Sequence, residues 1–242
     1  MKYPSITLTT QQLHLLKIIY KFRFVTADLA AQYKSVSTRA TNEALSILLK
    51  KELISRRYNT SYKLLGKAAR YYLAPRSLKQ LQSENGLQQN VLHSRYKDKT
   101  VSEEFVDHSL SIFQLCLDIR SHYQATFTIA TKAELAGRDD FLQPLPDLYL
   151  SRNDSSETLP NDYIIDIMTD TQYFLIKKRV DQYIEHFESG DWGNSSYPKV
   201  LLVCSTKIVI RKLTAYIEDS LDNKYIDDSA ITIQAIQSLG DL

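Results

Sequence analysis

Three carboxylates stand in an order that suits metal-assisted phosphodiester chemistry. Glu134 follows a β-rich stretch, Thr126 to Thr131; Asp147, preceded by Pro146, opens a second; and Asp166 lies within a third, Tyr163-Ile164-Ile165-Asp166-Ile167-Met168. Acids carried on neighbouring strands of one sheet can converge on Mg²⁺, a hard cation that prefers oxygen ligands and can activate water while neutralising charge on a phosphate. The same three acids are also compatible with a sheet that does no chemistry at all.

The order Glu…Pro-Asp…Asp-x-x resembles the restriction-endonuclease-like nuclease core. That resemblance implies a lysine two residues beyond the last acid, where this chain has Met168; Lys177 or Lys178 on the next helix is the available substitute. The catalytic candidates are therefore Glu134, Asp147, Asp166 and Lys178, with Asp147 and Asp166 holding Mg²⁺ if the domain is active. The missing lysine favours the plainer reading of an inactive domain with no cofactor.

The elements that would position these acids follow from periodicity. Thr100-Val101-Ser102-Glu103-Glu104 has the look of a capping box, and Phe105, Leu110, Phe113, Leu115 and Leu117 carry a helix behind it to about Tyr123. Three strands come next, then a helix from Thr171 to Glu188, a buried strand Lys199 to Cys204, a helix from Lys207 to Leu221 and a last strand Ile231 to Ile236. Strands alternating with helices at the end of the chain predict parallel crossovers and an α/β sheet.

A second set of polar residues lies in the first third. Thr9 or Thr10 caps a helix running to Phe22, Thr26 caps a short second helix, and a third runs from about Thr38 to Lys51 with Ala44, Leu45, Leu48 and Leu49 on one side. Leu53 to Tyr58 and Arg70 to Leu73 then flank a polar, basic connection, as in a hairpin. Three helices and a basic hairpin predict a winged helix-turn-helix whose third helix enters the major groove of duplex DNA. The DNA-binding candidates there are Ser37, Thr38, Arg39, Asn42 and Ser46, with Arg39 suiting guanine and Asn42 adenine; Arg56, Arg57, Lys63, Lys67 and Arg70 suit phosphates.

Charge separates the two regions. Residues 1–82 hold 15 Lys and Arg against Asp28, Glu43 and Glu52, a formal +12, whereas the other 160 residues hold 15 basic and 25 acidic side chains, a formal −10. Self-repulsion of the basic part is relieved by a polyanion, and the acidic field of the remainder opposes a DNA backbone there. The expected organisation is a DNA-binding domain at 1–82, a polar linker at 83–99 and a nuclease-like domain at 100–242.

Other features exclude function classes. Cys116 and Cys204 form no CxxC pair and sit among apolar residues, as buried hydrophobes in a reducing compartment do. His14, His93, His108, His122 and His186 make no metal-ligand spacing; His108 lies among apolar helical residues as a core histidine would, and Tyr71, Tyr72 and Trp192 suit cores as well as base stacking. The N-terminus Met1-Lys2-Tyr3-Pro4-Ser5 has no apolar leader, and the longest aliphatic run, Val200 to Cys204, is far too short for a span, so the expectation is a cytoplasmic protein with no membrane association.

The chain as a whole resembles the replication-relaxation family of plasmid and mobile-element proteins. The likeness is carried by Leu8-Thr9-Thr10-Gln11-Gln12, Tyr72-Leu73-Ala74-Pro75, His108 in Asp107-His108-Ser109-Leu110, Glu134 and Leu145-Pro146-Asp147. It continues through Ile165-Asp166, Tyr183-Ile184-Glu185-His186-Phe187 with Gly190-Asp191-Trp192, and Tyr197 to Val203. It implies a winged helix joined to a degenerate nuclease-like domain, acting as a DNA-binding accessory in replication, relaxation or transfer. Double-stranded DNA is the implied partner, with a second copy or replication and transfer proteins as further ones. Two rivals stand beside it: a Mg²⁺-dependent nuclease or nickase targeted by the winged helix, and a protein-interaction module that binds no DNA.

Overall fold

The first helix starts where Thr9 closes a reciprocal cap. Its hydroxyl accepts from the Gln12 amide at 3.2 Å, while the Gln12 side chain accepts from the Thr9 amide at 3.3 Å. In the computed structural model, which describes residues 8–238 apart from 83, 85, 124–125, 154–161, 170, 194–195 and 228, α1 spans Thr10–Phe22, α2 Ala27–Lys34 and α3 Thr38–Lys50. Thr26 and Ser37 cap the second and third helices with their hydroxyls. The Met1-to-Ser5 reading lies outside the described residues.

Two antiparallel strands follow, β1 (Ile54–Arg57) and β2 (Arg70–Leu73), in the register Ile54 opposite Leu73 and Arg57 opposite Arg70. Val25 adds a third lane: it exchanges both backbone hydrogen bonds with Tyr71, at 3.0 and 2.8 Å. The connection that reads as a plain hairpin loop contains a short helix, α4 (Thr60–Leu64), capped by Asn59. Phe24, Tyr72 and Val106 form a core beneath the ribbon, and Phe22 stacks on Phe113 with centroids 3.9 Å apart.

Helices α5 (Pro75–Leu81) and α6 (Gln89–Ser94) and a 3-10 turn, Arg95–Lys97, occupy the stretch that the sequence reading treats mainly as connector. Their side chains are not those of a solvated tether. Leu92 is 1 % exposed and Asp98 fully buried, Arg95 donates to the Tyr20 carbonyl at 2.9 Å, and Arg23 donates to Asp98 at 2.6 Å. Burial pushes the Arg95 pKa down to about 10, with repulsion from Arg23 adding to it, and burial raises that of Asp98 against the pull of Arg23. The described part of residues 83–99 is thus tied to α1, and the chain divides into two units at 117/118, within α7 (Glu103–Tyr123). Ser102, whose hydroxyl accepts from the Phe105 amide at 3.2 Å, supplies the cap expected near Thr100.

The second unit is a five-stranded mixed sheet in sequence order: β3 (Phe127–Thr131), β4 (Leu148–Arg152), β5 (Asp162–Ile167), β6 (Lys199–Val203) and β7 (Ile233–Ile236). The first two pairings are antiparallel and the last two parallel, with α9 (Tyr173–Ser189) and α10 (Lys207–Asn223) forming the crossovers and a single-turn α8 (Lys132–Leu135) following β3. Strands β5 and β6 are nearly continuous apolar runs because the interior of a parallel sheet is covered on both faces. The protein is therefore a mixed α and β structure. Among the described residues no helix is long and apolar enough to cross a membrane.

Candidate nucleic-acid interface and the carboxylate pair

Helix α3 buries Thr41, Leu45 and Leu48 and turns its other side outward. On that outer side Arg39, Asn42, Glu43, Ser46, Ile47 and Lys50 line one shallow concavity. Arg39 is almost fully exposed and makes an i,i+4 pair with Glu43 at 3.3 Å, a contact that water and a competing phosphate can exchange at little cost. Ser37 and Thr38 have local duties at the helix start. Ser37 accepts from the Ala40 amide at 3.2 Å, and Thr38 donates to Asp28 at 3.0 Å.

The ribbon cations divide into two classes. Arg56 and Lys63 are exposed. Arg57, Lys67 and Arg70 instead turn towards the start of α7. Arg57 donates to Glu103 at 3.2 Å and to the carbonyls of Lys99 and Val101 at 3.1 and 2.5 Å, and Lys67 reaches Asp107 at 3.4 Å. Arg70 donates to Glu103 at 2.6 Å, to the Tyr62 hydroxyl at 2.9 Å and to Asp107. Tyr62 in turn donates to Glu103 at 2.5 Å; burial, then that carboxylate, raises the phenol pKa. These three cations, read from the sequence as phosphate contacts, have internal counter-charges: strand alternation points Arg57 inward where Arg56 points out, Arg70 stands opposite Arg57 on the same face, and Lys67 reaches in from the segment before β2.

In the second unit the two acids on neighbouring strands do meet. Asp147, just before β4, accepts from the Ile167 amide at 2.9 Å, and its own amide donates to Asp166 at 2.9 Å. Both residues are 3 % exposed. Lys132 donates to the second Asp147 oxygen at 2.7 Å, while Arg179 and the Tyr183 hydroxyl each donate to the second Asp166 oxygen at 2.6 Å. Arg179 also donates to the Pro144 carbonyl at 2.8 Å. Burial is the largest single influence on Arg179 and would lower its pKa, but the charges of Asp166 and Tyr183 and the hydrogen bonds to both together outweigh it and the value is raised; burial and the Asp166 carboxylate lift Tyr183 far above the ordinary phenol range.

All four carboxylate oxygens are engaged by N–H and O–H donors, an arrangement that does not fit Mg²⁺, which takes oxygen ligands in near-octahedral order. Among the described residues no group of three or more His, Cys, Asp or Glu is placed to hold a metal ion. Glu134 closes a capping box on Thr131, accepting from its amide at 2.9 Å. Lys178 is exposed, and Lys177 packs its ammonium 4.9 Å from the Tyr216 ring centroid. The cations that do reach the acids, Lys132 and Arg179, are absent from the sequence-derived set. Arg179 was nonetheless readable: Ile176, Val180, Tyr183 and Ile184 make a buried helical stripe, and Arg179 lies on it.

The remaining candidates fall mainly in cores. Tyr71, Tyr72, Cys116, Cys204 and His186 are all under 9 % exposed, and burial pushes the Cys204 thiol up to about 11. Trp192 packs edge-on against Phe141 and Tyr197, and His108 is half-buried in α7.

No curated protein matches this chain. The model of one family, replication-relaxation, matches residues 16–196, from within α1 to the segment just before β6, and so takes in α3, the ribbon, α7 and the carboxylate pair. The chain belongs to the replication-relaxation family.

Proposed function

We propose that this protein is a duplex-DNA-binding accessory in plasmid or mobile-element replication, relaxation or transfer. In this reading the first unit acts as a winged helix-turn-helix and the second as a nuclease-like domain that does no cleavage. The observation that carries it is the outward face of α3, where Arg39, Asn42, Ser46 and Lys50 are all exposed on one side of a helix whose other side is core. Arg39 and Asn42 have the donor and acceptor geometry for guanine and adenine edges, and Lys50 and Arg56 add positive charge for phosphates. Family membership supports the same reading, because replication and relaxation act on DNA. The donor-filled Asp147 and Asp166 oxygens weigh against the nuclease rival.

Fluorescence anisotropy of the full chain with labelled duplexes, titrated with salt, tests the proposal. Wild type should bind with a log K that falls linearly against log salt, and Arg39→Ala should cost about 1–3 kcal/mol on a preferred sequence and relax discrimination. Absence of salt-sensitive binding at about 50 mM salt rejects it.

A further inference from the structure

The ribbon has a tip as well as a base, and the two are chemically unlike. At the base the cations are neutralised by Glu103 and Asp107. At the tip, α4 ends in a tight turn: the Lys67 amide donates to the Tyr62 carbonyl at 2.9 Å and the Gly66 amide to the Lys63 carbonyl at 3.2 Å. Gly66 sits at φ +63°, which an L side chain rarely adopts, so the turn is fixed in the one form that glycine makes easy.

This turn leaves Leu64 and Leu65 82 % and 66 % exposed, more than any other large aliphatic side chain among the described residues. Burying a leucine is worth about 1.5–3 kcal/mol, so folding alone gives no reason to display two in succession. Their surroundings say what they meet. Tyr58, 41 % exposed, has the Arg56 guanidinium 5.7 Å and the Lys63 ammonium 5.8 Å from its ring centroid. Residues 53–82 contain seven Lys and Arg and no acid. A projecting apolar pair beside an aromatic ring and two exposed cations, in a stretch without acid, is complementary to a groove walled by phosphates, where an opened base step offers apolar ring faces.

We infer that Leu64 and Leu65 are a wedge for duplex DNA. They enter the minor groove and partly unstack one base step, while Arg56 and Lys63 hold the flanking phosphates. This rests on the reading of the first unit as DNA-binding and deepens it. A wedge makes recognition depend on how easily a step deforms, so pyrimidine–purine steps such as TA are favoured at a position where no hydrogen bond is made.

The full chain is compared with Leu64→Ala/Leu65→Ala and Leu64→Met/Leu65→Met on duplexes of about 30 base pairs, carrying 2-aminopurine at a central TA step and an end-to-end fluorescence pair. Anisotropy reports binding, 2-aminopurine brightness reports unstacking, and energy transfer reports bending. Circular dichroism melting confirms that the variants are folded. Wild type and the methionine variant should bind with a rise in both signals and prefer TA-containing over GC-only duplexes. The alanine variant should lose both signals and the preference, with the slope of log K against log salt unchanged because no phosphate contact is removed. Wild-type binding without unstacking, or an alanine variant that keeps both signals, overturns the wedge alone. Failure of wild type to bind any duplex overturns the DNA-binding reading beneath it. Loss of self-association in gel filtration, or of flotation with anionic vesicles, with the DNA signals intact, overturns the wedge in favour of a protein or lipid contact.

Discussion

Replacing Arg70 with alanine separates two roles that the same basic residue can have. A phosphate contact, when removed, weakens DNA binding and leaves the fold alone; a brace between ribbon and helix, when removed, does the opposite. Arg70 is 6 % exposed as a side chain and donates to Glu103, Asp107 and Tyr62, and its guanidinium lies 4.8 Å from the Tyr62 ring centroid. Hydrogen bonds to charged groups are each worth about 1.5–3 kcal/mol, and breaking a fully buried pair costs about 3–5 kcal/mol. Glu103 and Asp107 keep 47 % and 43 % of their side-chain surface, so water recovers part of the loss after the substitution. The expected destabilisation is therefore about 2–4 kcal/mol, or a melting shift of roughly 3 °C per kcal/mol for a chain of this size. Urea unfolding followed by circular dichroism measures it, and a double-mutant cycle with Glu103→Gln isolates the pair. Arg56→Ala is the control and should leave stability within about 0.5 kcal/mol while weakening DNA binding. If Arg70→Ala melts with wild type and loses DNA affinity as Arg56→Ala does, the brace is wrong and Arg70 belongs to the interface.

Three further outcomes follow from buried groups. Asp166→Ala should cost about 3–5 kcal/mol, because it leaves Arg179 charged in the interior, whereas adding Mg²⁺ or Mn²⁺ should leave the wild-type melting temperature unchanged; a cation-induced rise that Asp166→Ala abolishes would mean a metal displaces the donors. His186 is 8 % exposed and burial lowers its pKa below the ordinary 6.5, so its contribution to stability is complete above that value and lost as pH falls through it towards the folded value. His186→Gln should flatten the fall in stability that begins as pH drops below about 6.5, and an unchanged profile counts against the assignment. Leu92→Ala should destabilise the first unit by about 2–4 kcal/mol in denaturant unfolding, because Leu92 is core; no effect would restore the view of residues 83–99 as a tether.

Local signals in the sequence sufficed for elements and failed for partners. Caps at Thr9, Thr26 and Ser37 and the apolar runs of β5 and β6 are written within a few residues of where they act, and the helices and strands there fall where the periodicity puts them. The same local grammar contained the correction for Glu134, since Thr131-Lys132-Ala133-Glu134 is itself a capping box. Arg57 and Arg70 are different. Their counter-charges lie 46 and 33 or 37 residues away on a helix assigned to another domain, and nothing in a window of sequence reports that pairing. A formal +12 therefore overstates the charge the first third offers to an outside partner, because part of it is balanced by acids of α7.

The carboxylate pair and its two cations form a closed set whose formal charges cancel: Asp147 with Lys132, Asp166 with Arg179. Replacing Lys132 or Arg179 leaves a buried carboxylate without its counter-charge, and replacing Asp166 strands the buried Arg179, at the cost expected for a group with nowhere to send its charge; Lys132, 49 % exposed as a side chain, can turn to water when Asp147 is lost. Two simultaneous replacements within one couple leave no such charge. Change at this place in the family should therefore proceed by couples, position 132 drifting with 147 and 166 with 179. A relative that has lost one member of a couple should show the other neutralised, or its charge returned from a different position in the chain.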